Sequence, residues 1–132
     1  MQAPDRLEIR DGTCTYRPRG RHSLVEAVDL VSRAIGFCRL RSVHRMLVDA
    51  TGLVDLPIPS LVDRFLMVED WAQESQGMVV VALVVSPEYV HPHKFGVKVA
   101  ATFGLTADVY TSEPDAINWL LESAPGTSRV RR

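Results

Sequence analysis

The chain has 132 residues, 46% of them hydrophobic, and its formal net charge is -1 at pH 7. This length and composition predict one globular domain with a core of ordinary size, and the balanced charge argues against binding to nucleic acid or to a membrane surface. No leader pattern is visible at the N-terminus, and the most apolar run, residues 78–85, is far shorter than the ~20 residues of a membrane helix.

The first predicted element is a β-hairpin. Residues 7–10 alternate apolar and charged side chains, and residues 13–17 form the return strand. The Asp11-Gly12 pair between them is a strong turn signal, because both turn positions favour a positive φ. The basic loop at residues 17–22 follows. It could hold a phosphate or an acidic partner, but a solvated loop beside an acidic face is the favoured interpretation.

The first helix and the central strand come next. Ser23 and Glu26 have the spacing of a capping box. Apolar residues then recur at helical spacing, which predicts a helix lying against a sheet: Leu24, Ala27, Val28, Val31, Ala34, Ile35 and Cys38. Residues 44–49 contain a continuous apolar run at 46–48, which is the pattern of a strand buried on both faces.

The two cysteines, Cys14 and Cys38, fall on the return strand of the hairpin and on the first helix. They form no CxxC pair, and no histidine lies near them at metal-ligand spacing. We therefore expect buried, reduced thiols, which suits the reducing cytoplasm.

The second helix is predicted over residues 60–75. Ser60 and Asp63 form a second cap pair, and Gly77 ends the segment as C-terminal glycines do. The predicted buried stripe has helical spacing and is widened on both flanks: Leu61, Phe65, Val68 and Ala72, with Val62 and Leu66 on one side and Trp71 on the other.

The remaining elements repeat the alternation of strand and helix. Residues 78–86 are rich in β-branched side chains and predict a central parallel strand. A third helix is expected over residues 94–103, a short strand over 107–110 and a last helix capped by Ser112. The residues predicted to face inward from these two helices are Phe95, Val99, Ala100, Phe103, Ile117, Trp119, Leu120 and Leu121.

The order β-β-α-β-α-β-α-β-α predicts an α/β fold with right-handed parallel crossovers, and the initial hairpin makes the sheet mixed. We expect a single domain over residues 1–124 and a flexible basic tail over residues 125–132.

Four stretches of the chain resemble the STAS domain, the fold of bacterial anti-sigma-factor antagonists. They are MLVDATGL at 46–53, VVVALVVSPE at 79–88, KFGVKVAATFGL at 94–105 and VYTSEPDAINWL at 109–120. The resemblance is closest to the SpoIIAA-like branch, which shares its outline with CRAL-TRIO lipid-binding domains. It implies a STAS-like mixed sheet with helices largely on one face, and none of the four motifs is catalytic.

Ser60 has two interpretations. In anti-sigma-factor antagonists, an Asp-Ser-Ser-Gly element at the start of the helix after the central strand carries a phosphorylatable serine. The corresponding residues here, 56–61, lack that element, and Ser60 is the hydroxyl nearest its place. Ser60 is therefore a candidate phosphorylation site, at a helix N-terminus that favours negative charge, but the helix-cap role is the favoured one.

The candidate binding residues flank the start of the second helix. Asp49, Thr51 and Asp55 lie at or beyond the carboxyl end of the central strand, where ligands gather in open α/β sheets. Asp49 could instead stabilise the local turn, which is the favoured role. Phe65 and Phe95 could border an apolar groove between the second and third helices, together with Val62, Leu66 and Val99. The charge of Glu69 counts against a fully apolar groove.

The sequence does not predict an enzyme. GxSxG, P-loop and GxGxxG motifs are missing, and a triad of Asp49, Ser60 and His91 could be drawn in any chain of this size. His91 and His93 supply at most two of the ligands that a metal needs. His93 and Lys94 could instead help to bind an anion at a helix N-terminus. We expect no catalytic residue, no metal and no cofactor.

The leading functional hypothesis is a non-catalytic, cytoplasmic, bacterial regulatory or protein-interaction domain of the SpoIIAA-like type. Its surface would be the second helix and the preceding loop, and its partner another protein or a second copy of the chain. The alternative is a binder of a small, lipid-like or anionic apolar ligand in the groove between the second and third helices. Neither hypothesis involves nucleic acid or a transmembrane segment.

Overall fold

The structure is a computed structural model that describes residues 2–123. Within that range the chain forms seven strands and four helices, with a mixed five-stranded sheet at the centre. The α/β class and the mixed sheet expected from the sequence are therefore confirmed. The predicted tail at residues 125–132 lies outside the described residues.

The chain opens with the predicted hairpin. Strands β1 (Leu7–Arg10) and β2 (Thr13–Tyr16) pair antiparallel. Asp11 and Gly12 have φ angles of 53° and 76°, so both turn residues are left-handed, as the Asp-Gly signal predicts. β1 forms one edge of the sheet, because the strand order is β1-β2-β4-β6-β7.

The rest of the large sheet is parallel. Strand β4 pairs with β2 on one side and with β6 on the other, and β7 closes the second edge. β4 (Arg45–Asp49) is one residue shorter than predicted, and β6 (Val80–Val84) is four residues shorter. β7 (Ala107–Tyr110) has the predicted bounds. β4 is the middle strand of the five, so the prediction of a central strand at this place is confirmed.

Two short strands interrupt the expected order of elements. β3 (Gly20–Arg21) and β5 (Leu53–Val54) pair in parallel and form a separate ribbon. Two residues are too few to produce a hydrophobic period, which explains why the sequence did not predict them. The ribbon joins the basic loop to the segment after β4.

The helices form two layers. α1, α2 and α3 cover one face of the sheet, where they share a core that includes Ile35, Trp71 and Ala100. α4 covers the other face through Ala116 and Leu120. The bounds of the helices are α1 (Leu24–Leu40), α2 (Leu61–Ser75), α3 (Phe95–Thr102) and α4 (Glu113–Glu122). None of the helices in residues 2–123 is long and apolar enough to cross a membrane.

The predicted buried stripe of α2 is correct at Val68 and Ala72, which pack in or against the core, and wrong at Leu61 and Phe65. Leu61 and Phe65 are 51% and 41% exposed, whereas Val68 and Trp71 are buried. The helix carries apolar side chains on two faces, and periodicity alone cannot choose between them. Phe103 after α3 and Leu121 in α4 were also expected to face inward, and both are exposed.

The two predicted capping boxes are confirmed. Ser60 Oγ accepts a hydrogen bond from the Asp63 amide at 3.0 Å, and Asp63 Oδ2 accepts one from the Ser60 amide at 2.9 Å. Ser23 and Glu26 make the same reciprocal pair at the start of α1. The two polar pairs satisfy amides that would otherwise lack partners and so fix where α1 and α2 begin.

The predicted burial of the cysteines is also confirmed, and both thiols are free. A hydrogen bond with Cys14, followed by burial, raises the pKa of the Cys38 thiol. The two side chains therefore join β2 to α1 as uncharged core groups.

We predict that Ser60→Ala lowers the free energy of unfolding by about 1 kcal/mol, because the Asp63 amide loses its acceptor. Ser60→Asp retains a capping oxygen and should keep most of the stability. Urea unfolding followed by circular dichroism measures both variants. Equal stability of Ser60→Ala and the unaltered chain would contradict the capping role.

Candidate functional site

Asp49 and Thr51 form a local unit at the carboxyl end of β4. Asp49 Oδ1 accepts hydrogen bonds from the Thr51 amide at 3.0 Å and from Thr51 Oγ1 at 2.6 Å. This is the geometry of an Asx turn, so the favoured structural role of Asp49 is the one observed. Thr51 also lies on the wall of a cavity, described below.

The electrostatic surroundings of Asp49 favour its charged form. Burial disfavours the charge, but the two hydrogen bonds from Thr51 and the nearby charge of Arg17 outweigh it, and the pKa of Asp49 is lowered. Arg17 is fixed by two hydrogen bonds to the Glu113 carboxylate, each of 2.9 Å. Arg17 therefore joins the basic loop to the start of α4, and its charge acts on Asp49 at the carboxyl end of β4.

Asp55 and Ser60 lie on the surface. The Asp55 carboxylate forms an ion pair with Arg21, beside the ribbon of β3 and β5. Ser60 is exposed and is occupied as the cap of α2. The structure does not bring these two residues together with Asp49 on a common cavity wall.

Phe65 and Phe95 also lie apart from the cavity. Phe65 projects from the outer side of α2 and meets Phe103 edge-to-face, with ring centroids 5.4 Å apart. Phe95 begins α3, where its ring centroid is 6.1 Å from that of His91. None of the five side chains expected to border an apolar groove lines this cavity: Val62, Phe65, Leu66, Phe95 and Val99.

An apolar cavity of about 140 Å³ lies between the sheet and the layer of α1, α2 and α3. Its floor is the face of the sheet that carries Val81, Leu83 and Ala107. Its roof comes from the inner face of α2 and from α3 and α1, through Met67, Val68, Trp71, Val97, Ala100, Val28 and Val31. Of these α2 residues, the sequence predicted Val68 in the buried stripe and Trp71 on its flank, and it did not assign Met67.

Polar groups gather on one part of the cavity wall. Arg64 Nη1 donates a hydrogen bond to the Tyr89 carbonyl at 3.1 Å, and the Tyr89 hydroxyl donates one to the Leu56 carbonyl at 2.5 Å. Lys94 Nζ contacts Asp108 Oδ1 at 2.7 Å. The Lys94 side chain is 42% exposed, so this ion pair connects the cavity with solvent.

Tyr110 belongs to the same cluster of polar residues, through its contacts with Asp108 and Lys94. Its hydroxyl donates to Asp108 Oδ2 at 3.1 Å, and Lys94 Nζ lies 5.4 Å from the centroid of its ring. Burial, followed by the charge of Asp108, raises the pKa of Tyr110. Tyr110 is therefore a neutral donor at physiological pH and helps to hold Asp108 against Lys94.

The sequence could have indicated part of this cavity. Met67 and Trp71 lie one residue before and three residues after Val68, which was predicted to be buried, so the helical period allows all three on one face. Arg64, Tyr89 and Lys94 carried no such signal, because they come from a helix, a turn and a loop that only the tertiary fold brings together.

The cavity is larger than the few voids that protein cores normally contain. Its walls are mostly apolar, so an occupant with apolar surface would remove those walls from water.

A second unusual feature is the outer face of α2. Leu61, Val62, Phe65 and Leu66 are exposed there, and Phe103 adjoins them through its contact with Phe65. We call these five residues the α2 surface. A cluster of large apolar side chains in water marks an interaction site more often than isolated exposed residues do.

The histidines of the loop before α3 are close to each other but do not form a metal centre. Their ring centroids are 5.9 Å apart, and His91 Nδ1 accepts a hydrogen bond from the His93 amide at 3.1 Å. In the part of the chain that the structure describes, no group of three or more His, Cys, Asp or Glu residues is arranged to hold a metal ion. His91 lies on the cavity wall instead.

Comparisons of the chain with protein-family models, with curated proteins and with solved structures found no match. The cavity and the α2 surface are therefore the features of the chain from which a function can be inferred.

We predict that Asp49→Asn lowers the free energy of unfolding at pH 7 by no more than about 1 kcal/mol, because solvent screens this half-buried charge. The folded-state pKa of Asp49 is lowered, so its charge contributes stability above the unfolded pKa of about 3.9. That contribution is lost as the pH falls through the folded pKa.

Urea unfolding of Asp49→Asn and of the unaltered chain at several pH values between 7 and 3 measures this difference, which should shrink on acidification. Asp11→Asn is the control, since Asn suits the exposed hairpin turn as well as Asp does. A difference for Asp49→Asn that stays constant with pH would contradict the role of its charge.

We predict that Ala107→Val raises the free energy of unfolding by about 1 kcal/mol, because two added carbons fill part of the cavity. Ala107 pairs with Val81 on the cavity side of the sheet. Ala82 lies on the opposite face, packed against α4, so Ala82→Val should be destabilising by overpacking. Thermal unfolding compares the two variants, and destabilisation by both would contradict the presence of the cavity.

Proposed function

We propose that the chain is a non-catalytic protein-interaction domain with a STAS-like fold of the SpoIIAA-like type, acting in the cytoplasm through the α2 surface. The observation that carries the proposal is the row of exposed apolar side chains on α2. Val62 is 68% exposed and Leu66 is 55% exposed, although the same helix already buries Val68 and Trp71 on its inner face.

The arrangement of the α2 surface suits contact with another helix or with a copy of itself. Leu61, Val62, Phe65 and Leu66 repeat at spacings of one and four residues and form a stripe along the first two turns of α2. The stripe itself contains no charged side chain. Two copies can therefore pair face to face over the first two turns of α2, with Glu69 outside the contact, one turn beyond Phe65.

Three features of the fold support this class of protein: the mixed sheet, the hairpin at its edge and the helix after each of the parallel strands β4, β6 and β7. The short strands β3 and β5 are additional to the order that the resemblance implies. α2 follows the central strand, and in anti-sigma-factor antagonists the helix at that place begins at the switch serine. The α2 surface lies on the corresponding helix.

Ser60 is the residue through which this surface could be regulated. It is exposed at the N-cap of α2, next to Leu61. A phosphate there would place about two negative charges beside the apolar stripe. The helix N-terminus tolerates that charge, whereas an apolar interface beside it would not.

We predict weak self-association of the chain, with a dissociation constant in roughly the micromolar range, because five side chains cover less than the ~800 Å² per partner of a standard interface. Val62→Glu should abolish it by placing a charge in the stripe. Sedimentation velocity over a range of protein concentrations measures the association of both proteins.

The matched control is Val25→Glu. Val25 is the second residue of α1, as Val62 is of α2, and it is 79% exposed. We expect Val25→Glu to associate like the unaltered chain. An unaltered chain that stays monomeric at all concentrations, or equal effects of the two substitutions, would count against the proposal.

A further inference from the structure

We propose that the cavity between the sheet and the helices binds a compact apolar carboxylate, with its apolar body inside the cavity and its carboxylate at Arg64. This inference goes beyond the proposed function and does not depend on it. Arg64, Met67, Val68 and Trp71 face the cavity from the inner side of α2, whereas the α2 surface lies on the outer side of the helix.

The volume of the cavity sets the size of the ligand. A cavity of about 150 Å³ with apolar walls accommodates one benzene ring, and the cavity here measures about 140 Å³. It therefore suits one six-membered ring or a branched chain of similar bulk. A long-chain lipid would need the helices to move apart, so the geometry favours a compact body.

The walls determine that this body is apolar. Val81, Leu83 and Ala107 on the floor and Met67 and Trp71 on the roof offer hydrocarbon, sulfur and aromatic surface. The indole nitrogen of Trp71 is already bonded to the Val28 carbonyl at 3.1 Å. Water inside would find few partners, which favours an apolar occupant over a hydrated one.

The charges on the wall determine the head group. The charge of Lys94 is balanced by Asp108, whose carboxylate lies 2.7 Å from Lys94 Nζ. Arg64, in contrast, donates its hydrogen bond to the neutral Tyr89 carbonyl. The cavity wall thus carries one cation more than it carries carboxylates. A guanidinium can bind a carboxylate through two parallel hydrogen bonds, so one ligand carboxylate balances the charge.

The start of α3 adds donors beside the same wall. Its N-cap residue, Lys94, makes no side-chain capping hydrogen bond. Gly96, in the first turn, lines the cavity, and no side chain stands between its backbone and a ligand. Backbone amides at a helix N-terminus favour negative charge, which agrees with the charge balance at Arg64.

The test is a titration of the full chain with phenylacetate, observed by isothermal calorimetry and by two-dimensional amide NMR. We expect a dissociation constant below about 1 mM, with the largest shifts at Gly96, Val97 and Ala107. Phenylacetamide has the same shape without the charge and should bind at least about tenfold more weakly. Dodecanoate should also bind more weakly than phenylacetate.

Substitutions at Arg64 and at Ala107 distinguish the carboxylate site from the apolar cavity. Arg64→Gln should weaken phenylacetate binding by about tenfold or more and leave phenylacetamide unchanged. Arg64→Lys keeps the charge but not the two parallel hydrogen bonds, so it should bind phenylacetate with an affinity between those of the unaltered chain and Arg64→Gln. Ala107→Val should weaken both compounds, because the remaining volume no longer admits a ring. Val62→Glu should change neither, which keeps this test distinct from the test of the α2 surface.

Three results would overturn the proposal. Equal affinity for phenylacetate and phenylacetamide would show that Arg64 does not bind the ligand carboxylate. Tighter binding of dodecanoate than of phenylacetate would show that the cavity prefers an elongated lipid to a compact ligand. The lack of any shift at cavity residues up to several millimolar phenylacetate would show that the cavity does not admit such a ligand.

Discussion

The fold depends on the burial of the central parallel strands on both of their faces. Met46 and Val48 of β4 pack into the layer of α1, α2 and α3, whereas Leu47 between them packs against α4. A strand of this kind needs a helix layer on each side, because water on either face would expose an apolar row. The crossover helices, the edge hairpin and the loops at the carboxyl end of β4 all take their positions from this requirement.

The two apolar faces of α2 separate the two candidate sites. Its inner face does not fill the space above the sheet, and the cavity remains between Met67, Trp71 and the strands. Its outer face leaves Leu61 and Phe65 in water. One helix thus serves a candidate ligand site and a candidate protein interface without sharing side chains between them.

The charged residues near β4 mainly hold the neighbouring loops in place through hydrogen bonds and ion pairs. Asp49 fixes the turn at Thr51, and Arg17 joins the basic loop to Glu113. The residue types that suggested ligand binding in the sequence are therefore largely occupied by structural contacts. Arg64 is the better candidate for binding a ligand, because its hydrogen bond goes to the Tyr89 carbonyl and that contact does not neutralise its charge.

The sequence by itself determined the class of fold, the hairpin, the central strand and both capping boxes, because these depend on near neighbours and on periods of two or 3.6 residues. It could not decide which apolar face of α2 is buried, since both faces satisfy the helical period. It also missed the ribbon of β3 and β5 and the grouping of Arg64, Tyr89 and Lys94. Those features join segments distant in the chain, and only tertiary packing sets the distances between them.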